Sequence, residues 1–124
     1  MPKALAEKLR LLPEKRGLVL SPPSRYLEQL GTSAPVDLQP HQPPYDVVQL
    51  FVTGERDLHL QLETARPVLG PAAILWVTYP KLTSKAAGAL NRDVLYGLMQ
   101  EQGFQAVAQI AVDETWSAMR FKPL

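Results

Sequence analysis

Two apolar runs limit what this chain can fold into. "DVVQLFV" (46–52) and "AAILWVTY" (72–79) are rich in β-forming residues, and Asp46 is their one charge. Such runs suit strands covered on both faces, as parallel strands are. Between them Leu58, Leu62, Ala65 and Leu69 recur at helical spacing, which predicts a helix over 55–69. Thr53 is a candidate cap for it, Pro67 predicts a kink or an early end, and Gly70-Pro71 a stop. Strand, helix, strand makes a parallel crossover unit.

The flanking sequence extends the pattern. Leu5, Leu9 and Leu12 predict a helix over 3–12, limited by Pro13. Gly17 opens a short buried strand, Leu18-Val19-Leu20, and a second helix is expected from Pro23 to Leu30, with Gly31 at its exit. Residues 31–45 hold four prolines and no periodicity, so they read as a long irregular connection. Asn91 is a good N-cap for a helix through Gln102, with Val94, Leu95, Leu98 and Met99 facing inward and Gly103 ending it. Residues 104–112 and 116–121 read as strands joined by Asp113-Glu114-Thr115. So short a link permits only an antiparallel hairpin. The expected fold is one α/β domain over residues 1–124. It is three-layered, with a mainly parallel sheet and a C-terminal antiparallel hairpin.

Composition removes several classes of function. The chain has 124 residues and a net charge of +1, so no broad field draws it to nucleic acid or an anionic membrane. It has no cysteine, which excludes disulfides, thiol nucleophiles and thiolate metal sites and fits a cytoplasmic location. No apolar run approaches the length that spans a bilayer. The histidines number two: His41 lies among prolines, and His59 pairs at four-residue spacing with Glu63, too few ligands for a metal site. No G-x-S-x-G elbow or phosphate-loop motif is present.

Several stretches resemble known families. "LGPAAILWV" (69–77) is similar to the entry to a late strand of Rossmann-type methyltransferases, with alanines in place of glycines. "YDVVQLFV" (45–52), "LWVTYPK" (75–81) followed by Ser84, and "VDETWSAMRF" (112–121) resemble the bacterial domain-of-unknown-function family 3052. The likeness covers residues 45–121, and residues 3–31 more loosely. It implies a Rossmann-like, methyltransferase-like architecture rather than an activity.

S-adenosylmethionine binding needs a glycine-rich turn after the first strand, where the ligand approaches the backbone closely. Here that turn is Ser21-Pro22-Pro23-Ser24, and no second strand ending in an acidic residue is evident. No cofactor is therefore expected. Parallel strands would still bring their C-terminal ends to one rim. That rim would collect Ser21 and Arg25, then Thr53, then Tyr79, Lys81, Thr83 and Ser84, with Trp116 as a possible cover. The set is basic and rich in hydroxyls, as an anion site would be. Trp76, inside its strand, is expected in the core. The leading expectation is a non-catalytic or vestigial Rossmann-like domain that binds a small anionic ligand or a protein partner. The alternative is a divergent S-adenosylmethionine-dependent methyltransferase or a subunit of one.

Overall fold

A computed structural model describes residues 5–31, 34–41, 44–81 and 90–124. In chain order the elements are α1 (Leu5–Lys8), β1 (Gly17–Leu20), α2 (Tyr26–Leu30), β2 (Val36–Asp37), β3 (Tyr45–Phe51), α3 (Glu55–Ala65), β4 (Leu69–Pro80), α4 (Arg92–Glu101), β5 (Phe104–Ala111) and β6 (Trp116–Pro123). They build one six-stranded sheet in the order β2-β1-β3-β4-β6-β5. The pairs among β1 to β4 are parallel, and β6 runs antiparallel to both β4 and β5. The mainly parallel sheet with its terminal hairpin is as expected. Chain order runs outward to one side from β1 to β2 and to the other from β3 to β4, so the sheet has a topological switch between β1 and β3.

Alternation along the strands sorts side chains onto two faces. Leu18, Leu20, Val48, Leu50, Leu75 and Val77 pack on one, with Leu58 and Leu62 of α3 and Leu95 and Met99 of α4. Val19, Val47, Phe51 and Trp76 pack on the other, with Leu9 after α1 and with Tyr26 and Leu30 of α2. Trp76 is in the core as expected, and its indole N–H donates to the Leu9 carbonyl at 2.9 Å. This bond ties the N-terminal segment to the middle of the sheet.

Several boundaries differ from the sequence reading. The helix α1 is shorter because Arg10 adopts a left-handed backbone with φ 63°, which ends the turn. The start of α2 moves from Pro23 to Tyr26 because Arg25 is also left-handed, at φ 65°. Gly54, not Thr53, is the N-cap of α3, which ends at Ala65 ahead of a 3-10 turn containing Pro67. Gly70 lies within β4 rather than stopping a helix. A Cβ there would stand 3.0 Å from the Tyr45 carbonyl oxygen, so the close approach of β3 and β4 needs glycine. The cap at Asn91 is as read, its Oδ1 accepting from the Val94 N–H at 3.0 Å. Val94 itself is 42 % exposed, and Leu95 and Met99 carry the buried face instead.

The connection 31–45 contains a strand the sequence reading lacked. Val36 and Asp37 pair in parallel with Gly17 and Leu18. Asp37 accepts a short hydrogen bond from the Tyr45 hydroxyl, which itself accepts from the His41 N–H at 2.9 Å. A second strand ending in an acidic residue therefore exists, but its carboxylate is engaged near the start of β3 and not at the rim.

A polar line crosses the buried sheet. The Tyr26 hydroxyl donates to Gln49 Oε1 at 2.6 Å, and Gln49 Nε2 donates to Thr78 Oγ1 at 2.8 Å. Gln49 and Thr78 are 2 % and 0 % exposed, so each bond replaces water that the folded chain excludes. Burial pushes the Tyr26 phenol far above its ordinary value, against the opposing effect of the Gln49 bond, and it stays a donor. Tyr26→Phe leaves Gln49 Oε1 buried without a partner and is expected to destabilise the fold by about 1–3 kcal/mol, read by urea unfolding. A loss below about 0.5 kcal/mol would show that this bond contributes little.

Candidate functional site

The crevice at a switch point lies outside the C-terminal ends of the strands on either side. Here those ends are Leu20-Ser21 after β1 and Phe51-Val52-Thr53 after β3. Ser21 is exposed and has φ 56°, a conformation that glycine adopts freely and serine rarely does. The turn after β1 thus has a backbone shape suited to glycine, built without one. Arg25 is exposed at the N-cap of α2. Thr53 is exposed, and its backbone N–H donates to Asp57 Oδ2 at 3.2 Å. Ser21, Arg25 and Thr53 therefore sit on the turns that follow β1 and β3.

Lys81 stands farther along the rim. Its backbone N–H donates to the Thr115 carbonyl at 2.8 Å, and its charge acts on Asp113 in the β5–β6 turn. Asp113 Oδ1 accepts from the backbone N–H groups of Thr115 and Trp116, both at 2.8 Å, and Oδ2 accepts from Gln29 Nε2 at 3.1 Å. Partial burial alone would raise the Asp113 carboxyl. The bonds from Trp116, Gln29 and Thr115, with the Lys81 charge, outweigh that and hold it below its ordinary value. Trp116 is half-buried and meets Phe51 edge-on at 5.2 Å between ring centres, and Phe51 meets Tyr26 at 4.6 Å. This aromatic row closes the α2 side of the sheet near its rim.

Tyr79 does not open onto the crevice. Alternation puts it on the face of Leu75 and Val77, 4 % exposed, where its hydroxyl accepts from Gln109 Nε2 at 3.1 Å. Burial raises its phenol, partly offset by Arg92. Thr83 and Ser84 lie outside the described residues. His59 approaches Glu55 at 3.6 Å rather than Glu63, and no group of three metal-ligating side chains occurs among the described residues. Among the described residues no helix is long and apolar enough to cross a membrane.

A cavity of about 500 Å³ adjoins the crevice on the α3 side. Leu20, Leu38, Pro40 and Leu60 form its apolar walls, and Ser21, Gln39, Asp57, Gln61 and Thr64 its polar ones. A larger groove of about 630 Å³ lies away from the rim, between the α1 segment and Ile74 and Ile110 of the sheet. Asp57, Gln61 and Asp113 were not singled out from the sequence. The four-residue spacing of Asp57 and Gln61 on a predicted helix was the available signal.

Comparison with solved structures accounts for the architecture. A SAM-dependent methyltransferase from Aquifex aeolicus superposes with a TM-score of 0.65 at 10% identity, over 97% of this chain and 88% of that one. The fold is methyltransferase-like. The DhpI–SAM–HEP complex matches with a TM-score of 0.57 at 13% identity, over 97% of this chain and 84% of its own. The N-methyltransferase NodS from Bradyrhizobium japonicum WM9 matches with a TM-score of 0.57 at 12% identity, over 93% and 89%. No family profile matches the chain, and no curated protein does.

The depressed Asp113 carboxyl links the rim to pH. A carboxyl lowered on folding adds stability above its unfolded value of 3.8, and that stability is lost as pH falls through the folded value. Asp113→Asn is expected to be less stable than the parent at pH 7 by about 1 kcal/mol, a figure reduced for solvent screening. The difference should shrink toward zero as the pH is taken below 3.8. Urea midpoints at neutral and acidic pH check this, and a gap independent of pH would contradict it.

Proposed function

We propose that this chain is a divergent S-adenosylmethionine-dependent methyltransferase, or the donor-binding subunit of one. The observation that carries the proposal is the sheet: a parallel set with a switch between β1 and β3 and a terminal antiparallel hairpin. SAM-dependent methyltransferases match it over nearly the whole chain. The left-handed Ser21 supports the reading, because it keeps the tight turn that lets a ligand approach the backbone. The donor group fits that backbone shape but not the usual set of amide donors, since Pro22 and Pro23 have no N–H to offer. S-adenosylmethionine supplies a reactive methyl group on sulfur. In this reading Ser21 and Thr53 flank it at the crevice.

One observation favours a second reading. The same two prolines, with Arg25 exposed in the same turn and Lys81 farther along the rim, suit a scaffold that has given up methyl transfer and holds a small anion or a protein partner. Thermal unfolding with S-adenosylhomocysteine, S-adenosylmethionine, phosphate and pyrophosphate separates the two. A ligand at about 100 times its Kd stabilises by roughly 2.7 kcal/mol, which raises Tm by roughly 10 °C for a chain of this size. A shift with the methyl donor or its product is the expected result, and none with either would sink the methyltransferase reading for the isolated chain. A shift with phosphate or pyrophosphate alone, lost in Lys81→Ala, would establish the second.

A further inference from the structure

The groove between the α1 segment and the sheet joins an apolar floor to a cationic border. Ile74 of β4 and Ile110 of β5 are half-buried in it, and Leu12 beside them is 38 % exposed. Lys8, Arg10 and Lys15 border this floor, and Glu7 is the one acid of the described lining. Two more cations share this face of the sheet. Arg120 stands opposite Trp76, and alternation puts Lys122 on the same side. Glu14, next to Lys15, is the other acid of the segment. Five cations therefore stand against two acids, in a chain whose net charge is +1. None of the five makes an ion pair with a described residue.

Arg10 reaches this border through a strained turn. Its N–H donates to the Glu7 carbonyl at 3.0 Å, and the Leu11 N–H donates to the Ala6 carbonyl at 2.8 Å. Paired bonds of this kind close a helix whose next position is left-handed and usually glycine. Here Arg10 fills that position, at φ 63°. Glycine would make the same turn without strain. A cation kept where its own backbone is disfavoured points to the side chain as the reason.

An apolar floor bordered by unpaired cations fits a ligand of the opposite construction. We propose that this groove binds a small anionic amphiphile, a carboxylate on a short apolar tail. The tail lies on Ile74, Ile110 and Leu12, and the head among Lys8, Arg10 and Lys15. About 630 Å³ accommodates such a molecule. The floor lies in a concavity, which a single molecule can enter and a flat lipid surface cannot. A second copy docked about a two-fold axis would set these cations against themselves. The described lining includes none of Ser21, Arg25, Thr53 and Lys81, so the site does not depend on the methyltransferase reading.

Ile74 and Ile110 are the isoleucines of this chain, so labelling isoleucine δ1-methyl groups gives one NMR signal from each. Octanoate at pH 7 is the probe, with octanol, octylamine and acetate as controls. The expected result is saturable binding of octanoate that shifts both methyl signals, with weaker binding of octanol and acetate and none of octylamine. Arg10→Gly should keep the fold, because glycine adopts this backbone freely. It should weaken octanoate binding about threefold, the worth of one exposed ion pair. Adding Lys8→Gln and Lys15→Gln should remove saturable binding. The proposal fails if octanoate does not saturate, binds no better than octanol, or binds the triple variant unchanged. Anionic vesicles that move both methyl signals where octanoate does not would assign the groove to a membrane instead. Methyl shifts that follow protein concentration alone would assign it to a second copy.

Discussion

The placement of the candidate site depends on the burial of β3. Every residue of that strand except Asp46 is buried, because β1 and β4 pair on its two edges while helices cover both faces. A strand so enclosed must be apolar or carry its own hydrogen-bond partners. It does both. Leu50 and Val48 pack under α3, and Gln49 reaches sideways to Tyr26 and Thr78. The parallel pairing then brings the ends of β1 and β3 side by side, where the sheet changes direction of growth. The crevice is a consequence of that change and not of any one residue.

Two buried glutamines show how the same side chain serves different ends. Gln49 is satisfied by groups from α2 and β4, and it joins three elements into one network. Gln61 spends both N–H donors, on Phe51 and Asp57, and keeps an acceptor idle beside a cavity. The first arrangement ties α2 to β3 and β4, and the second leaves one buried acceptor without a partner among the described residues. Arg10, Ser21 and Arg25 each take a conformation easier for glycine. Two of these lie in the single turn between β1 and α2, so local strain gathers next to the crevice.

Much of the fold could be read from local chemistry. The apolar runs gave β3 and β4, the cap at Asn91 gave the start of α4, and the three-residue link gave the hairpin. The differences have a common source. The strand β2 is two residues long and has no period to detect, and it forms because Gly17 and Leu18 offer it an edge. Tyr79 ends an apolar run and is expected on the rim, but neighbours distant in sequence bury its ring and give its hydroxyl a partner in Gln109. The proline-rich turn lacks the glycines of a cofactor loop, yet its backbone at Ser21 has the shape glycine favours.

Periodicity, caps and turn length are carried by residues close in sequence, and they determined the α/β class and the antiparallel ending without reference to the rest of the chain. Whether a polar atom is paired depends on everything that surrounds it. Asp57 and Gln61 share a helix, but the Phe51 carbonyl and the walls from Leu20 and Leu38 reach them through separate strands and the β2–β3 connection. The sequence alone therefore pointed to the C-terminal rim, with a small anionic ligand or a protein partner as the expectation there. Only the tertiary structure located a buried acceptor without a partner among the described residues, because an unmet hydrogen bond is a property of the assembled neighbourhood.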